Sequence, residues 1–251
     1  MNEIAAVVLA AGKGKRMKSD LPKVLHEMLG RPMIEFVLDT LISLNINKIY
    51  VVIGHRADLV REALRDYTDN IEYILQAEQR GTGHAVQMAE KALAELEGDI
   101  LVLAGDVPFL SAETITSLIE VHRREKAAAT VLSSILPDPA NYGRIVRKPG
   151  TDLVDYIVEH KDASEEERKI GEINTGTFCF DSRYLFDCLR EIDDDNAQGE
   201  YYLTDIMGIL RERGLKAAVY LTDNADEALG VNSAEQKADL EAKYAKKIRQ
   251  K

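Results

Sequence analysis

The sequence has little of several features, and each shortage excludes a class of protein. Only 2 cysteines, Cys179 and Cys188, occur among 251 residues, too few for a four-cysteine zinc site or a disulfide framework. The apolar run at residues 4–11 is far shorter than the roughly 18–20 residues that span a bilayer. No basic leader precedes it, so we expect no secretory signal peptide and a soluble, cytoplasmic protein.

Positive charge is also in the minority, since 32 Lys and Arg face 43 Asp and Glu, a net charge of −11. An acidic protein repels phosphate-rich polymers on average, so general binding of nucleic acid or of a membrane is not expected. The 5 histidines show no catalytic or metal-ligand spacing. No internal repeat or low-complexity tract is visible. The ordinary apolar fraction of 45% argues against intrinsic disorder.

What the sequence does contain is a regular alternation of short apolar runs and helix-like stretches. Runs rich in Val, Ile and Leu, typical of buried parallel strands, lie at 4–10, 49–53, 71–75 and 100–104. Helix-like stretches alternate with them at 33–44, 57–67, 83–96 and 112–126. This rhythm predicts right-handed βαβ units and an α/β fold with a doubly wound, mostly parallel, Rossmann-like sheet.

The pattern changes after about residue 135, where three further strand-like segments occur at 143–148, 153–159 and 173–180. We therefore expect a small β-rich subregion at about 136–180, packed against the sheet inside one domain that covers 1–232. A helix at 200–213 and a strand at 215–221 are expected to follow. A last, connecting helix is expected over 233–251, because Ser233 and Gln236 form a capping-box start.

The loop after the first strand carries the strongest functional signal. It reads Leu9-Ala10-Ala11-Gly12-Lys13-Gly14-Lys15-Arg16-Met17 and runs on to Leu21-Pro22-Lys23. Five basic residues against Asp20 give positions 13–23 a local charge of +4. Glycines let backbone N–H groups approach a polyanion closely, and an open α/β sheet binds its ligand at this edge. The loop is therefore predicted to bind phosphate groups.

Two common phosphate motifs do not match this loop. Met17 stands where the dinucleotide fingerprint requires its third glycine, which disfavours a nicotinamide dehydrogenase. The P-loop pattern G-x-x-x-x-G-K-[ST] is absent, which disfavours kinases and ATPases. A merely solvated turn is the structural alternative, and the strand context and the charge density argue against it.

The pattern L-x-x-G-x-G-x-R-M followed by P-K resembles the signature of the sugar-1-phosphate nucleotidyltransferases. Further segments resemble, in the same order, the uridyltransferase (pyrophosphorylase) domain of the bifunctional bacterial enzymes that make UDP-N-acetylglucosamine. The resemblance covers about residues 4–232. These segments are QAEQ at 76–79, GTGHA at 81–85, GDVP at 105–108, YGRI at 142–145, VEHKD at 158–162, INTG at 173–176, NAQGEYY at 196–202 and GVN at 230–232.

The resemblance implies transfer of the uridylyl group of UTP to N-acetyl-α-D-glucosamine 1-phosphate, with Mg²⁺ as cofactor. The products would be pyrophosphate and UDP-N-acetylglucosamine, a cell-envelope precursor used in peptidoglycan and lipopolysaccharide synthesis. Because the attacking phosphate oxygen is already an anion at pH 7, this chemistry needs positioning and charge neutralisation rather than a general base.

The relatives continue into a hexapeptide-repeat acetyltransferase domain that forms a trimer, whereas this sequence stops at Lys251. We therefore expect no acetyltransferase activity, and a monomer or a weak oligomer. From the sequence, a truncated bifunctional enzyme and a naturally single-function protein look the same.

The resemblance also assigns roles to individual residues. Arg16 and Lys23 would neutralise the triphosphate, and Asp106, which directly follows the strand at 100–104, would bind Mg²⁺ together with Asn232. The amide of Gln76 matches the N3–H and O4 edge of uracil, although an amide that turns over would also match cytosine. The nucleotide is expected against Leu9, Ala10, Ala11, Gly12, Gly14, Lys23, Gln76, Gly81, Thr82 and Gly105, and the sugar against Gly143, Glu159, Asn174 and Asn232.

Structural roles stay open for some of these residues. Asp106 could cap a helix or stabilise a turn before Pro108, Asn232 could help to start the last helix, and Glu159 could form a surface ion pair. Two other functions also stay open. One is a related transferase of the UTP–glucose-1-phosphate type. The other is a non-catalytic sugar-nucleotide-binding module, which would not need the full set of neutralising and metal-binding residues.

Overall fold

In the computed structural model, which describes residues 3–14, 17 and 19–249, a nine-stranded mixed sheet organises the chain. The strands are β1 (Glu3–Ala10), β2 (Glu27–Met28), β3 (Arg31–Pro32), β4 (Lys48–Ile53), β5 (Ile71–Leu75), β6 (Gly98–Ala104), β7 (Ala129–Ile135), β8 (Arg144–Arg147), β9 (Val154–Val158), β10 (Glu172–Asp181) and β11 (Ala217–Leu221). The α-helices are α1 (Met33–Ser43), α2 (Ala57–Ala63), α3 (Thr82–Gln87), α4 (Ala112–Glu125), α5 (Ser182–Leu189), α6 (Ile206–Glu212) and α7 (Ala234–Arg249).

The strand order β11-β7-β10-β6-β1-β4-β5 confirms the predicted doubly wound, mostly parallel α/β fold. β1 pairs in parallel with both β4 and β6, and β4 pairs in parallel with β5. β10 runs antiparallel to its neighbours β6 and β7. The carboxyl ends of β1, β4, β5 and β6 therefore share one edge of the sheet, where open α/β sheets bind ligands.

Burial of both sheet faces explains why the central strands read as continuous apolar runs. In β1, Ala5 and Val7 join the core on the face that α3, α5 and α6 cover. Ala6 and Val8 join the core on the opposite face, under α1, α2 and α4. Side chains alternate between the faces of a strand, so both sets must be apolar. This double cover holds the strand ends in fixed positions.

Some elements differ from the sequence-based expectation. The helix expected at 83–96 ends at Gln87 and continues as turns with i to i+3 bonds, such as the one from Leu96 N–H to the Leu93 carbonyl oxygen (3.1 Å). β7 and α5 lie where no element was predicted. In β7 the hydroxyls of Ser133 and Ser134 interrupt the apolar run, although both residues are buried and Ser133 donates to Glu172 (2.6 Å).

The β-rich subregion expected at 136–180 is continuous with the main sheet. Its longest strand, β10, lies between β6 and β7, and β8 joins the sheet by pairing with β10 at one position, Arg144 with Ile173. β9 pairs with β8. Of the sugar-binding residues predicted in this subregion, Asn174 therefore lies on β10, while Gly143 directly precedes β8 and Glu159 directly follows β9.

The last helix, α7, packs on the domain and starts beside a predicted metal ligand. Half of its predicted capping box is present, because Ser233 Oγ accepts a hydrogen bond from the Gln236 N–H (3.2 Å). Gln236 Oε1 accepts from the Asn232 N–H (2.8 Å), one residue before the N-cap. The Tyr244 ring stacks on Phe109 with centroids 3.5 Å apart. Among the described residues, no helix has the length and apolarity that crossing a membrane requires.

Candidate active site

The glycine loop after β1 lies at the carboxyl edge of the sheet, next to Lys23. Gly14 has a φ of +59°, and a Cβ at this position would lie 2.8 Å from the Cβ of Lys23. A side chain at Gly14 would therefore displace Lys23 as well as strain the backbone. Arg16, the other predicted neutralising residue, lies outside the described residues, as do Lys15 and Lys18 of the basic cluster.

Backbone hydrogen bonds tie the predicted nucleotide-binding residues of neighbouring loops together. The carbonyl oxygen of Leu9 accepts from the Gly105 N–H (3.0 Å), which joins the end of β1 to the loop after β6. The carbonyl oxygen of Ala11 accepts from the His55 N–H (3.2 Å). Ala10 is buried, whereas Gly12 is exposed, so the loop emerges from the core between these two positions.

The ammonium group of Lys23 bridges the two predicted metal ligands. Its Nζ forms an ion pair with Asp106 Oδ2 and donates to Asn232 Oδ1 (2.7 Å). The amide nitrogen of Asn232 donates to the Gly230 carbonyl oxygen (3.2 Å), which turns the amide oxygen toward Lys23. The side chains of Lys23 and Asp106 are 18% and 13% exposed, so the pair is sheltered but within reach of a ligand.

Local contacts position Asp106 and Asn232 and show that neither side chain caps a helix. The Val231 N–H donates to the Asp106 carbonyl oxygen (3.0 Å), which holds the 230–232 segment against the loop after β6. Ser111, not Asp106, caps α4, because Ser111 Oγ accepts from the Thr114 N–H (3.2 Å). Ser233, not Asn232, supplies the capping oxygen of α7.

This donor set suits a hard divalent cation. A carboxylate oxygen and an amide oxygen are ligands that Mg²⁺ accepts, and the Lys23 ammonium shows that both reach a single cation. In the described part of the chain, no group of three or more His, Cys, Asp and Glu could hold a metal. An ion bound here would therefore need further oxygens, which substrate phosphates and water supply to Mg²⁺.

A cleft of about 300 Å³ joins this cation-binding pair to the predicted sugar residues. Its lining includes residues from six separate stretches of the chain, so it forms only in the folded protein. The predicted residues that line it are Thr82, Asp106, Gly143, Glu159, Asn174 and Asn232.

Glu159 directly follows β9 and lines the cleft, where its carboxylate is closely surrounded by Gly143 and Thr204. Its Oε1 accepts a hydrogen bond from Thr204 Oγ1 (3.2 Å), and a Cβ on Gly143 would lie 3.4 Å from both carboxylate oxygens. Desolvation by burial raises the pKa of Glu159, and the charge of Asp162 raises it further. No described Lys or Arg offsets this charge, which disfavours the surface ion pair.

Other groups at this end of the cleft are also acidic or polar. Burial, followed by the charge of Glu159, raises the pKa of Asp205 to about 6. The side chain of Asn174 accepts from the Gly176 N–H (2.9 Å) through Oδ1, and its backbone N–H donates to the Gly143 carbonyl oxygen (3.0 Å). We call this part of the cleft, formed by Gly143, Glu159 and Asn174, the sugar end. Among the described residues it presents hydrogen-bonding groups, and no Lys or Arg offsets the charge of Glu159.

Gln76 follows β5 and is 2% exposed. Its Nε2 donates to the Gly81 carbonyl oxygen (3.1 Å) and lies 3.0 Å from Nδ1 of His84. Gly81 has a φ of +113°, and a Cβ there would lie 2.5 Å from the carbonyl oxygen of Tyr201. Only glycine fits between Tyr201 and Gln76 at this point of the chain.

Sequence reasoning assigned no role at the site to several residues that the structure places there. Thr204 contacts Glu159, Asp205 titrates beside it, and Gln236 supports Asn232 through the backbone. His84 contacts Gln76, and its position in the GTGHA segment was the one available signal. Thr204 and Asp205 lie far along the chain from Glu159, and Gln236 was predicted only as part of the capping box that starts α7.

The chain is similar to known proteins over most of its length. The profile of the MobA-like NTP transferase domain matches residues 6–163. The bifunctional protein GlmU of Brevibacillus brevis is 51% identical over 248 residues, which cover 99% of this chain and 53% of that protein. GlmU of Halalkalibacterium halodurans is 49% identical over 99% of this chain and 54% of its own length. The chain spans about half the length of these curated relatives.

Solved structures of lower identity share the fold. A UDP-glucose pyrophosphorylase complexed with UDP-glucose superposes with a TM-score of 0.76 at 16% identity, covering 98% of this chain and 100% of that one. A putative glucose-1-phosphate thymidylyltransferase from Bacillus anthracis superposes with a TM-score of 0.74 at 21% identity, covering 95% and 94%. At such identities the likeness shows the fold alone.

Proposed function

The chain belongs to the MobA-like NTP transferase family, and we propose that it transfers the uridylyl group of UTP to N-acetyl-α-D-glucosamine 1-phosphate. The observation that carries this proposal is the convergence of Lys23, Asp106 and Asn232 beside the cleft that Glu159 and Asn174 line. The GlmU relatives, about half of whose length the chain matches, support the choice of substrates.

The proposed reaction is an in-line displacement. A phosphate oxygen of the sugar 1-phosphate attacks the α-phosphorus of UTP while the bond from that phosphorus to the β-phosphate oxygen breaks. UDP-N-acetylglucosamine forms and pyrophosphate leaves. No proton has to be removed from the nucleophile, so the protein supplies alignment and charge neutralisation.

The nucleotide is proposed to lie along the glycine loop. The backbone of residues 9–12, with Gly14 and Gly105, would approach the triphosphate and ribose, and Gln76, Gly81 and Thr82 would surround the base. Lys23 neutralises phosphate charge as a point charge, and Arg16 is proposed to add a fork of donors. Removing these cations would leave the developing charge on the leaving pyrophosphate unbalanced.

Mg²⁺ is the proposed cofactor, with Asp106 and Asn232 as its protein ligands. When bound, such an ion withdraws negative charge from phosphate oxygens. The donor types and their convergence on Lys23 Nζ support this assignment. If Asp106 and Asn232 held the ion, the Lys23 ammonium would be free to pair with the triphosphate.

The sugar is proposed to lie against Gly143, Glu159 and Asn174. Glu159 accepts hydrogen bonds from sugar hydroxyls, and Asn174 pairs with a hydroxyl or with the acetamido group. We propose that the protein acts in the cytoplasm, supplies cell-envelope precursors and is a monomer or a weak oligomer. Acetyl transfer is not part of the proposed activity of residues 1–251.

A substrate panel tests this proposal. The chain is incubated with Mg²⁺ and UTP, and pyrophosphate release is measured with N-acetylglucosamine 1-phosphate or with glucose 1-phosphate. We expect a higher kcat/KM for the N-acetylated sugar. Faster turnover of glucose 1-phosphate would contradict the substrate assignment and favour the UTP–glucose-1-phosphate type. Binding of the sugar nucleotide without any turnover would favour the non-catalytic module.

A further inference from the structure

The side-chain amide of Gln76 is held in one orientation by its surroundings. Its Nε2 lies 3.1 Å from the carbonyl oxygen of Gly81. A carbonyl oxygen only accepts hydrogen bonds, so an amide turned the other way would place two oxygens against each other. The amide nitrogen must therefore face Gly81, and Oε1 must face away from it.

His84 adds a second constraint on the same nitrogen. Its Nδ1 lies 3.0 Å from Gln76 Nε2, and it can accept the second amide hydrogen only when it is unprotonated. The pKa of His84 is lowered, first by burial and then by the positive charge of Arg80, so the ring is neutral near pH 7. Both hydrogens of the Gln76 amide are thus engaged inside the protein.

The remaining polar atom of this amide, Oε1, is an acceptor without a partner among the described residues. It does not belong to the polar atoms that are both sealed from solvent and unpaired, so a ligand atom can reach it. The Gln76 N–H donates to the Ile53 carbonyl oxygen (2.8 Å) at the carboxyl edge of the sheet. This is the edge at which the glycine loop begins.

We propose that His84, together with the Gly81 carbonyl group, is a positioning residue that determines nucleobase specificity by locking the Gln76 amide. The inference rests on the proposed binding of a pyrimidine nucleotide against Gln76. A locked amide offers the base an acceptor and no donor. When N3 of the base faces Oε1, uracil presents a donor, N3–H, and makes the hydrogen bond, whereas cytosine presents an acceptor and would oppose Oε1 without a hydrogen between them. The 4-amino group of cytosine could donate to Oε1 only from a shifted position of the base.

Direct binding measurements test this selection. UTP, CTP and N3-methyl-UTP are titrated by calorimetry into the full chain with Mg²⁺ and without sugar phosphate. We expect UTP to bind about 10- to 100-fold more tightly than either analogue, the penalty for leaving a desolvated acceptor unpaired. The N3-methyl compound keeps the uracil carbonyl groups but lacks the N3–H donor, so the same argument predicts that it binds weakly.

Two variants of the positioning residue separate orientation from packing. His84→Leu removes the acceptor, and we expect the ratio of UTP to CTP affinity to fall about fivefold or more, as the amide gains freedom to turn. His84→Asn places an amide oxygen near the position of Nδ1 and is expected to restore most of the ratio. A role in packing alone would weaken both nucleotides alike and leave the ratio unchanged, which would overturn the inference.

The wild-type results distinguish a failure of the locked amide from a failure of the proposed function. Pyrophosphate release from UTP combined with equal affinity for UTP and CTP would overturn the locked amide and leave the proposed function standing. Absence of both UTP binding and UTP turnover would overturn the proposed function and, with it, this inference. Circular dichroism of each variant confirms that the comparison is made between folded proteins.

Discussion

The two ends of the cleft handle charge in opposite ways. At the end formed by Lys23, Asp106 and Asn232, here called the nucleotide end, Lys23 is already paired with Asp106. In the sequence, Lys23 belongs to the segment 13–23, whose net charge is +4. At the sugar end, Glu159 and Asp205 have raised pKa values, and no described Lys or Arg offsets them. A sugar phosphate has an anionic group at one end and neutral hydroxyls at the other. We therefore expect the proposed sugar phosphate to bind with its phosphate toward Lys23 and its hydroxyls toward Glu159.

The difference also predicts which measured property a substitution at each end will change. The Lys23–Asp106 pair is satisfied before any ligand binds, so a ligand must rearrange existing contacts there. The crowded carboxylates of the sugar end oppose ionisation, and hydroxyl donors would relieve that cost. Substitutions at the nucleotide end should therefore act mainly on turnover and metal affinity, and those at the sugar end on KM and stability.

The largest effect is expected from Asp106→Ala at the nucleotide end. The variant should fold, because the Val231 N–H bonds the backbone carbonyl of Asp106 and not its side chain. Mg²⁺-dependent pyrophosphate release should fall by about 10²- to 10³-fold or more, since a group that balances phosphate charge is lost. Asp152→Ala, at an exposed turn, is the matched control. Undiminished turnover in Asp106→Ala would refute the metal assignment.

Lys23→Met should separate the two proposed tasks of the nucleotide end. Turnover should drop about 100-fold, because a cation that neutralises the triphosphate is missing. Mn²⁺ binding without nucleotide, followed by electron paramagnetic resonance, should become about tenfold tighter, because no ammonium competes for Asp106 and Asn232.

The control for this gain in metal affinity is Lys13→Met, which removes one exposed charge from the same loop. Competition at the site predicts a clearly smaller gain for Lys13→Met than for Lys23→Met. Equal gains would mean that the general charge of the loop matters and that the bridging contact does not.

At the sugar end, Glu159→Gln should raise KM for the sugar phosphate about 10- to 100-fold, the value of a hydrogen bond to a charged group. KM for UTP should change little, since the predicted contacts of the nucleotide lie at the other end. Steady-state kinetics with each substrate varied in turn measures both effects, with Glu165→Gln as an exposed control. A rise in KM for UTP alone would reverse the assignment of the two ends.

The smallest expected effect is on stability, from Asp205→Asn. The folded-state pKa of Asp205 is about 6, above its ordinary value of 3.8, so folding favours the protonated form. The stability that this preference contributes is complete below about pH 4 and is lost as the pH rises through 6. The variant should therefore be about 1–2 kcal/mol more stable than the wild type at pH 8, after allowance for solvent screening, and nearly equal at pH 4.

Urea unfolding at the two pH values checks this prediction, and Asp152→Asn should show no such pH dependence. A variant less stable than the wild type at pH 8 would mean that the Asp205 carboxylate makes favourable contacts when ionised. The sugar end would then not carry the electrostatic cost that distinguishes it from the nucleotide end.

The central fold could be predicted from the sequence because a strand that is buried on both faces consists almost entirely of apolar residues. β1, β4, β5 and β6 fall within two residues of the apolar runs that predicted them. β7 could not be predicted in the same way, because Ser133 and Ser134 are polar and are typical of loops. Both are buried in the structure, where Glu172 of β10 accepts a hydrogen bond from Ser133. A polar group can be buried when a partner is present, and that partner lies far along the chain.

The sequence by itself determined the parallel α/β core and a glycine- and lysine-rich loop at its ligand edge, because both are local patterns of residue type. Only the tertiary structure decided that Lys23 reaches both Asp106 and Asn232, and that the Gln76 amide faces Gly81 with its nitrogen. From the sequence alone that amide could read uracil or cytosine equally well. Its orientation depends on which acceptors surround it, and those acceptors come together only when the chain folds.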